Sequence, residues 1–147
     1  MMIVAHNIRS LYNVGSIFRS DDVFAIEKIF LTGYTGTPPQ KEIAKTALGS
    51  ENRVLWEKRE NILSLISELK NGGWQVVGLE TGEKTVSITT LNHRRLVLIL
   101  GNEVTGIELE VREKLDVLAE IPMPGVKKSL NVSVAAGIAM FVLGQGK

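Results

Sequence analysis

The chain alternates short apolar runs with longer segments in which apolar residues recur every three or four positions. The short runs end at Gly, Pro or polar residues, which is typical of β-strands. They predict strands at residues 3–6, 28–32, 74–79, 96–100 and 117–121, with one more short strand at 53–56. Because helical patterns fall between these runs, the chain is predicted to form an α/β fold with a mostly parallel sheet and helices on both faces.

Helices are predicted at residues 13–25, 37–48, 59–71, 108–114 and 129–143. Asn13 is a plausible N-cap of the first helix. Thr37 followed by Pro38 is typical of a cap with proline at the first helical position. Gly72 and Gly73 are expected to end the third helix. The segment 82–91 has no regular pattern and is predicted to be a loop.

The last predicted helix is unusual because residues 129–143 contain no charged side chain. A surface helix normally has a polar face, so we expect this helix to be buried in the core or in a contact between two copies of the chain. Ser129 and Asn131 lie at its start, where free backbone N–H groups favour an anion or a carboxylate. The two side chains are equally consistent with simple helix caps.

Length and composition are those of one globular domain. We expect residues 1–147 to form a single domain with no extension domain at either end. The absence of Cys excludes a disulfide framework and a thiolate metal site. No secretory signal or membrane-spanning apolar run is visible, which predicts a cytoplasmic protein without a membrane partner. The net charge of +1 and the pI of about 8.0 neither favour nor oppose nucleic-acid binding.

Three predicted strand ends carry loops with candidate binding chemistry, at residues 79–82, 101–106 and 121–125. Ligands of parallel sheets bind at the carboxyl ends of the strands. In the second loop, Gly101 would let a ligand approach the backbone closely, and Glu103 is either a functional carboxylate or part of a tight turn. Neither the G-x-G-x-x-G pattern nor a P-loop lysine motif is present, which argues against dinucleotide-binding and P-loop proteins.

A fourth candidate segment surrounds the first predicted helix, where Asn13 and Arg19 lie six residues apart. The planar guanidinium of arginine suits phosphate or carboxylate, although a capped helix with a surface arginine explains the pattern equally well. His6 and His93 have no partners at metal-ligand spacing and are expected to be structural or exposed. No metal site is therefore expected.

In their order along the chain, these segments resemble the motifs of the SpoU, or TrmH-like, branch of the SPOUT superfamily of S-adenosylmethionine-dependent RNA methyltransferases. Residues 13–20 (NVGSIFRS) resemble the first motif and residues 98–106 (LILGNEVTG) the second. The third motif is matched by residues 121–125 (IPMPG) together with 129–135 (SLNVSVA). Ser16 and Ser20 stand where the family frequently has Ala and Thr. The resemblance extends from about residue 3 to residue 143.

The resemblance implies a C-terminal deep trefoil knot, a homodimer, and a metal-free site for S-adenosylmethionine. The residues expected to hold this methyl donor are Leu79, Thr81, Gly101, Ile121, Met123 and Leu130. The implied reaction is methyl transfer to a ribose 2′-hydroxyl of RNA, with tRNA favoured and rRNA possible as the substrate. The residues implied to be catalytic are Arg19, Asn13, Glu103, Ser129 and Asn131.

Arg19 is expected to act as a cation and not as a base, because arginine ordinarily stays protonated. It would bind phosphate and stabilise a developing 2′-oxyanion.

Three other functions stay open. A methyltransferase of the same superfamily could modify a base nitrogen, although Arg19, Ser129 and Asn131 together favour ribose. A non-catalytic RNA-binding protein on the same fold is disfavoured because the motif residues are all present, and a nucleotide-dependent oxidoreductase is disfavoured because its glycine fingerprint is missing.

Overall fold

The computed structural model of the protein describes residues 1–91 and 94–145. Within these residues the strands are β1 (Met2–His6), β2 (Ile29–Thr32), β3 (Trp56–Arg59), β4 (Gln75–Leu79), β5 (Val86–Ser87), β6 (Leu96–Leu100) and β7 (Val117–Glu120). The helices are α1 (Leu11–Val23), α2 (Lys41–Ala47), α3 (Ile62–Asn71), α4 (Leu109–Arg112) and α5 (Val132–Gly144). The strands form one sheet in the order β3-β2-β1-β6-β4-β7-β5, and every pair of neighbours runs parallel.

Helices cover both faces of this sheet, as predicted. In β1, Ile3 and Ala5 point into a core shared with α1, α2 and α5, whereas Met2 and Val4 point into a second core shared with α3 and α4. The alternation follows from the period of two along a strand, which sends successive side chains to opposite faces. Because both faces are covered, β6 is apolar throughout, and β1 and β4 contain only one polar residue each, His6 and Gln75. The predicted α/β class is thus confirmed, and the trefoil knot stays a prediction.

The order of the strands gives the sheet a switch point at its centre. From β1, the chain proceeds outward through β2 to β3, and the strands on the other side of β1 come from the second half of the chain. The carboxyl ends of β1 and β6 therefore lie side by side, with loops that leave in opposite directions. Such a point is the usual place for a ligand in a parallel sheet.

The first helix begins earlier than predicted. Ser10, and not Asn13, is the N-cap of α1, since its side chain accepts a hydrogen bond from the backbone N–H of Asn13. Both residue types are good caps, so the sequence alone did not separate them. The side chain of Asn13 is consequently available for contacts outside its own helix.

Two other boundaries are shifted. Thr37 and Pro38 do not open a helix: α2 begins at Lys41, after Gln40 in extended conformation. A residue that precedes a proline disfavours the helical conformation. Thr37 precedes Pro38 and Pro38 precedes Pro39, so both positions disfavour a helix. The sixth predicted strand lies three residues later than expected, as β3. Because β3 extends to Arg59, the following helix α3 begins only at Ile62, with Asn61 as its cap.

The segment predicted as a loop, residues 82–91, contains regular structure. Val86 and Ser87 form the two-residue edge strand β5 beside β7, and residues Ile88–Thr90 form a 3₁₀ turn. Ile88 is buried in the main core. A strand of two residues leaves no periodic pattern in a sequence, which explains why it was missed.

Within one chain, the last helix is buried on one side only. The helix begins at Val132, so Ser129 precedes it, and Asn131 is its cap. Its Ala136, Ala139 and Met140 are fully buried. On the opposite side, Val134, Ile138 and Phe141 are 50%, 36% and 54% exposed, because only the side with the buried residues packs into the core. No helix in the described part of the chain is both long and apolar enough to cross a membrane.

Candidate active site

A cavity of about 250 Å³ opens at the carboxyl ends of β4, β6 and β7. Its walls are the three predicted strand-end loops together with the beginning of α5. The structure brings all six residues expected to hold the methyl donor to this cavity: Leu79, Thr81, Gly101, Ile121, Met123 and Leu130. Glu103 and Ser129, two of the expected catalytic residues, also line it. The residues expected to hold the donor thus share one cavity with two of the five expected catalytic residues, and the roles of all of them stay predictions.

Gly101 is required by the fold of its own loop. A Cβ atom at this position would lie 2.7 Å from the carbonyl carbon of Gly106 and from the backbone nitrogen of Ile107. The loop closes so tightly because Asn102 and Gly106 exchange two backbone hydrogen bonds, of 3.1 and 3.0 Å. Gly106 itself has φ +71°, which glycine adopts without strain. The glycines thus shape this wall of the cavity, whatever ligand it holds.

Glu103 joins this loop to the beginning of α1. Its carboxylate accepts hydrogen bonds from the backbone N–H groups of Arg9 and Ser10, at 2.9 and 3.0 Å, and from the side-chain amide of Asn13, at 3.1 Å. Desolvation, the largest single influence, raises the pKa of Glu103, but the hydrogen bonds from Arg9, Ser10, its own backbone and Asn13 together hold that pKa below its usual value. Glu103 is therefore ionised and acts as a fixed anionic anchor.

Asn13 and Asn131 extend this network to the last helix. The Nδ2 of Asn131 donates a hydrogen bond of 3.2 Å to Oδ1 of Asn13. The Oδ1 of Asn131 in turn accepts hydrogen bonds from the backbone N–H groups of Ser133 and Val134, at 2.8 and 3.4 Å, and so caps α5. One continuous network runs from Glu103 through Asn13 to Asn131, and it connects all three sequence motifs.

Arg19 lies apart from this network within one chain. It lines a separate open groove of about 710 Å³ between α1, α2 and α5, together with Ser133, Val134 and Phe141. Six residues of helix separate Arg19 from Asn13, a rise of about 9 Å along the axis. The hydrogen bonds of Glu103 go to Arg9, Ser10 and Asn13 at the start of α1 and not to Arg19.

Sequence reasoning missed two polar residues of the cavity. Glu80 follows the last residue of β4 and accepts hydrogen bonds from the backbone N–H groups of Thr81 and Ile107, each at 3.0 Å. Asn102 accepts hydrogen bonds from the backbone N–H groups of Val104 and Thr105, each at 2.8 Å. Both residues stand in loops that the sequence identified as candidates, so position at a strand end was the available signal.

His6 has the structural role expected of it. It is buried, with Nδ1 2.8 Å from the hydroxyl oxygen of Thr32 and Nε2 2.9 Å from a carboxylate oxygen of Glu108. His93 lies outside the described residues. Within residues 1–91 and 94–145, no group of three or more His, Cys, Asp or Glu side chains could hold a metal ion.

Solved RNA methyltransferases share this arrangement of strands and helices. The structure of an rRNA methyltransferase from Sinorhizobium meliloti with bound AdoMet superposes with a TM-score of 0.89 and 29% sequence identity, covering 96% of this chain and 54% of that chain. A sequence model of the SpoU rRNA Methylase family matches residues 1–141. The chain therefore belongs to the SpoU rRNA methylase family.

Two curated relatives act on different RNAs according to their names. The 23S rRNA (guanosine-2′-O-)-methyltransferase RlmB of Xylella fastidiosa is 32% identical over 142 residues, which is 96% of this chain and 57% of that protein. The tRNA (guanosine(18)-2′-O)-methyltransferase of Aquifex aeolicus is 32% identical over 143 residues, covering 96% of this chain and 67% of that protein. The chain thus spans between about half and two thirds of the length of these relatives.

Proposed function

We propose that this protein is an S-adenosylmethionine-dependent RNA methyltransferase that modifies a ribose 2′-hydroxyl. Family membership supports this function, as do the 2′-O-methylation activities that the names of two relatives state. The observation that carries the proposal is the hydrogen-bond network Glu103–Asn13–Asn131, which lies beside the cavity and connects three motifs distant in sequence. We further propose that residues 1–147 act as one methyltransferase domain in the cytoplasm.

The cavity fits S-adenosylmethionine in its chemistry. Leu79, Ile121, Met123 and Leu130 provide apolar surface for a nucleoside base, and the backbone beside Thr81 and Gly101 provides hydrogen-bonding groups. The carboxylates of Glu80 and Glu103 also line the cavity and favour a ligand that carries positive charge. When bound, the donor supplies an electrophilic methyl group on a sulfonium.

The residues of the chain then have to position the ribose and stabilise its oxygen. Asn13 and Asn131 are fixed by each other and by Glu103, so their amides present polar groups in a set geometry. Ser129 lies on the cavity wall and would contact the ribose. Arg19 would bind a phosphate and stabilise the negative charge that develops on the 2′-oxygen, while a neighbouring phosphate helps to remove the proton.

A homodimer would bring Arg19 to the reaction. Within one chain Arg19 lines the groove beside α5 and not the cavity. The same groove carries the exposed apolar side chains of Val134, Ile138 and Phe141, which is the composition of the centre of a homodimer interface. We propose that this face pairs with that of a second copy, so that the partner's Arg19 approaches the cavity.

We propose tRNA as the first substrate to test, because a relative that is 32% identical over 143 residues modifies tRNA according to its name. The second candidate is 23S rRNA, since the two identities are equal. The experiment is single-turnover methylation of bulk tRNA and of rRNA with labelled donor, followed by nucleoside digestion and mass spectrometry. The expected product is a 2′-O-methylated nucleoside.

Variants distinguish the remaining functions. Arg19→Ala should keep donor affinity in calorimetry and lose about 10²–10³ in the methylation rate, and Arg19→Lys should restore little because a point charge lacks the planar fork. Leu130→Trp, which fills the cavity, should lose both donor binding and rate. A base-methylated product would favour the base-nitrogen alternative. RNA binding without methyl transfer, by protein that binds the donor, would favour the non-catalytic one.

A further inference from the structure

An exposed tyrosine stands beside the cavity in the loop that follows β2. Tyr34 is 62% exposed, yet its hydroxyl oxygen accepts a hydrogen bond of 2.7 Å from Nδ2 of Asn102. Asn102 is itself a wall residue of the cavity. The ring is thus tied to a residue of the cavity wall, and its faces are not covered by the core.

The loop that carries Tyr34 is held on several sides. Its backbone N–H donates to Oδ1 of Asn7 at 3.1 Å. The neighbouring Thr35 donates from its hydroxyl to the carbonyl of Ala5 and accepts from the backbone N–H of Ile8, at 2.9 and 3.0 Å. The ammonium of Lys58 donates to the carbonyls of Gly33 and Thr35, at 2.5 and 3.0 Å. An aromatic ring on such a support loses little conformational entropy when a flat ligand stacks on it.

A cationic residue is attached to the same wall of the cavity through its backbone. Arg9 is exposed, and its backbone N–H is bound by Glu103 on the cavity wall. Its guanidinium makes no hydrogen bond or ion pair with another residue in the described ranges 1–91 and 94–145. The carboxylate beside it, Glu103, is engaged by the backbone N–H groups of Arg9 and Ser10 and by the amide of Asn13. Arg9 therefore presents positive charge to whatever enters.

We propose that Tyr34 and Arg9 form a binding site for an unpaired nucleotide of the RNA substrate, next to the nucleotide that is methylated. The base would stack on the ring of Tyr34 and the phosphate would pair with the guanidinium of Arg9. Stacking on aromatic rings and pairing of arginine with phosphate are the usual means of holding single-stranded RNA. This inference rests on the proposed function, and it assigns to the chain an RNA contact outside the three motifs.

The test compares two replacements of Tyr34. Binding of fluorescently labelled bulk tRNA and rRNA is measured by anisotropy, and donor binding by calorimetry on the same proteins. Tyr34→Ala should weaken RNA binding by about 5- to 150-fold, the usual loss for one stacked base. Tyr34→Phe keeps the ring and loses only the hydroxyl contact to Asn102, so it should bind RNA nearly as the natural protein does. Both variants should bind the donor normally.

The salt dependence of RNA binding tests Arg9. Loss of one phosphate contact should reduce the slope of log affinity against log salt by about 0.7 in Arg9→Ala. Lys114→Ala is the matched control, because Lys114 lies just before β7, at the opposite, amino end of the strands. For Lys114→Ala, the slope of log affinity against log salt should equal that of the natural protein.

Each remaining outcome overturns the inference. If Tyr34→Ala binds RNA as tightly as the natural protein, no base stacks on the ring. If Tyr34→Phe and Tyr34→Ala lose donor affinity equally, Tyr34 only positions the loop that contains Asn102. If the natural protein binds the donor but neither RNA, the proposed function fails together with this inference. If the natural protein binds RNA and the Tyr34 variants do not differ from it as expected, only this inference fails and the proposed function is unaffected.

Discussion

Asp21 offers a quantitative test of how the first helix is packed. Its side chain is fully buried, and neither carboxylate oxygen has a hydrogen-bond partner among the described residues. Desolvation by this burial raises the pKa of Asp21 well above its ordinary value. The adjacent Asp22 is different, because its hydrogen bonds to Arg53 and Ser50 lower its pKa. Asp21 therefore keeps its proton in the folded protein at pH values where an exposed carboxyl group has lost it.

The sign and size of the effect follow from proton linkage. Above its unfolded pKa of about 3.9, Asp21 loses its proton on unfolding but keeps it in the native state. The free energy of unfolding therefore falls with rising pH, by up to about 1.4 kcal/mol for each pH unit, until the pH passes the raised native pKa. Below the unfolded pKa the contribution is fully present. The loss accumulates over the whole interval between the unfolded pKa and the raised native pKa of Asp21.

The perturbation is Asp21→Asn, which keeps the shape of the side chain and removes its titration. Urea unfolding of both proteins at pH 5, 6, 7 and 8 gives the difference in unfolding free energy, in which all other titrating groups cancel. Relative to the variant, the natural protein should become less stable as the pH rises. A difference that stays constant across this range would show that Asp21 ionises normally in the native state, and would refute the reasoning from its burial.

Three further predictions concern the cavity and the last helix. Gly101→Ala should weaken donor binding in calorimetry because its Cβ meets backbone atoms at 2.7 Å, whereas Gly125→Ala, with open space around its Cβ, should not. Asn131→Ala removes the cap of α5 and should lower the unfolding free energy by about 1 kcal/mol in urea titrations; unchanged stability would deny it the capping role. Phe141→Glu should shift a sedimenting dimer to monomer, and a natural protein that is monomeric at micromolar concentration would contradict the dimer.

The central strands were predictable because they are buried on both faces. The central strand β6 is five apolar residues in a row, and in a parallel sheet nothing polar has to interrupt such a run. The ends of helices were harder to place. Ser10 and Asn13 are equally good caps in isolation, and only the contact between Asn13 and Glu103, ninety residues apart, leaves Ser10 as the cap. Tertiary hydrogen bonds of this kind leave no local pattern.

The cavity was predictable to the extent that its residues lie in recognisable motifs. Position at a strand end and the order of the motifs led to Leu79, Gly101 and Ile121. The supporting contacts were not predictable, because each joins two segments that are far apart in the chain. Asn102, for example, reaches back to the carbonyl of Asn7 and to the hydroxyl of Tyr34. Such a pairing depends on which strands become neighbours, and β1 and β6 do so only in the folded sheet.

The position of Arg19 could not be predicted from the sequence. Its motif led us to expect Arg19 in one site with the other catalytic residues, whereas within one chain it lines a separate groove. The explanation lies in the helix that carries the motif. Gly15 allows α2 to pack so closely on α1 that a Cβ there would strike Ile43 and Thr46, so this glycine serves packing and not ligand binding. Asn13 precedes that contact and faces the cavity network, while Arg19 follows it and faces the groove. One rigid helix thus connects the proposed donor cavity with the proposed dimer face, which means that a change in the α1–α2 contact should disturb both together.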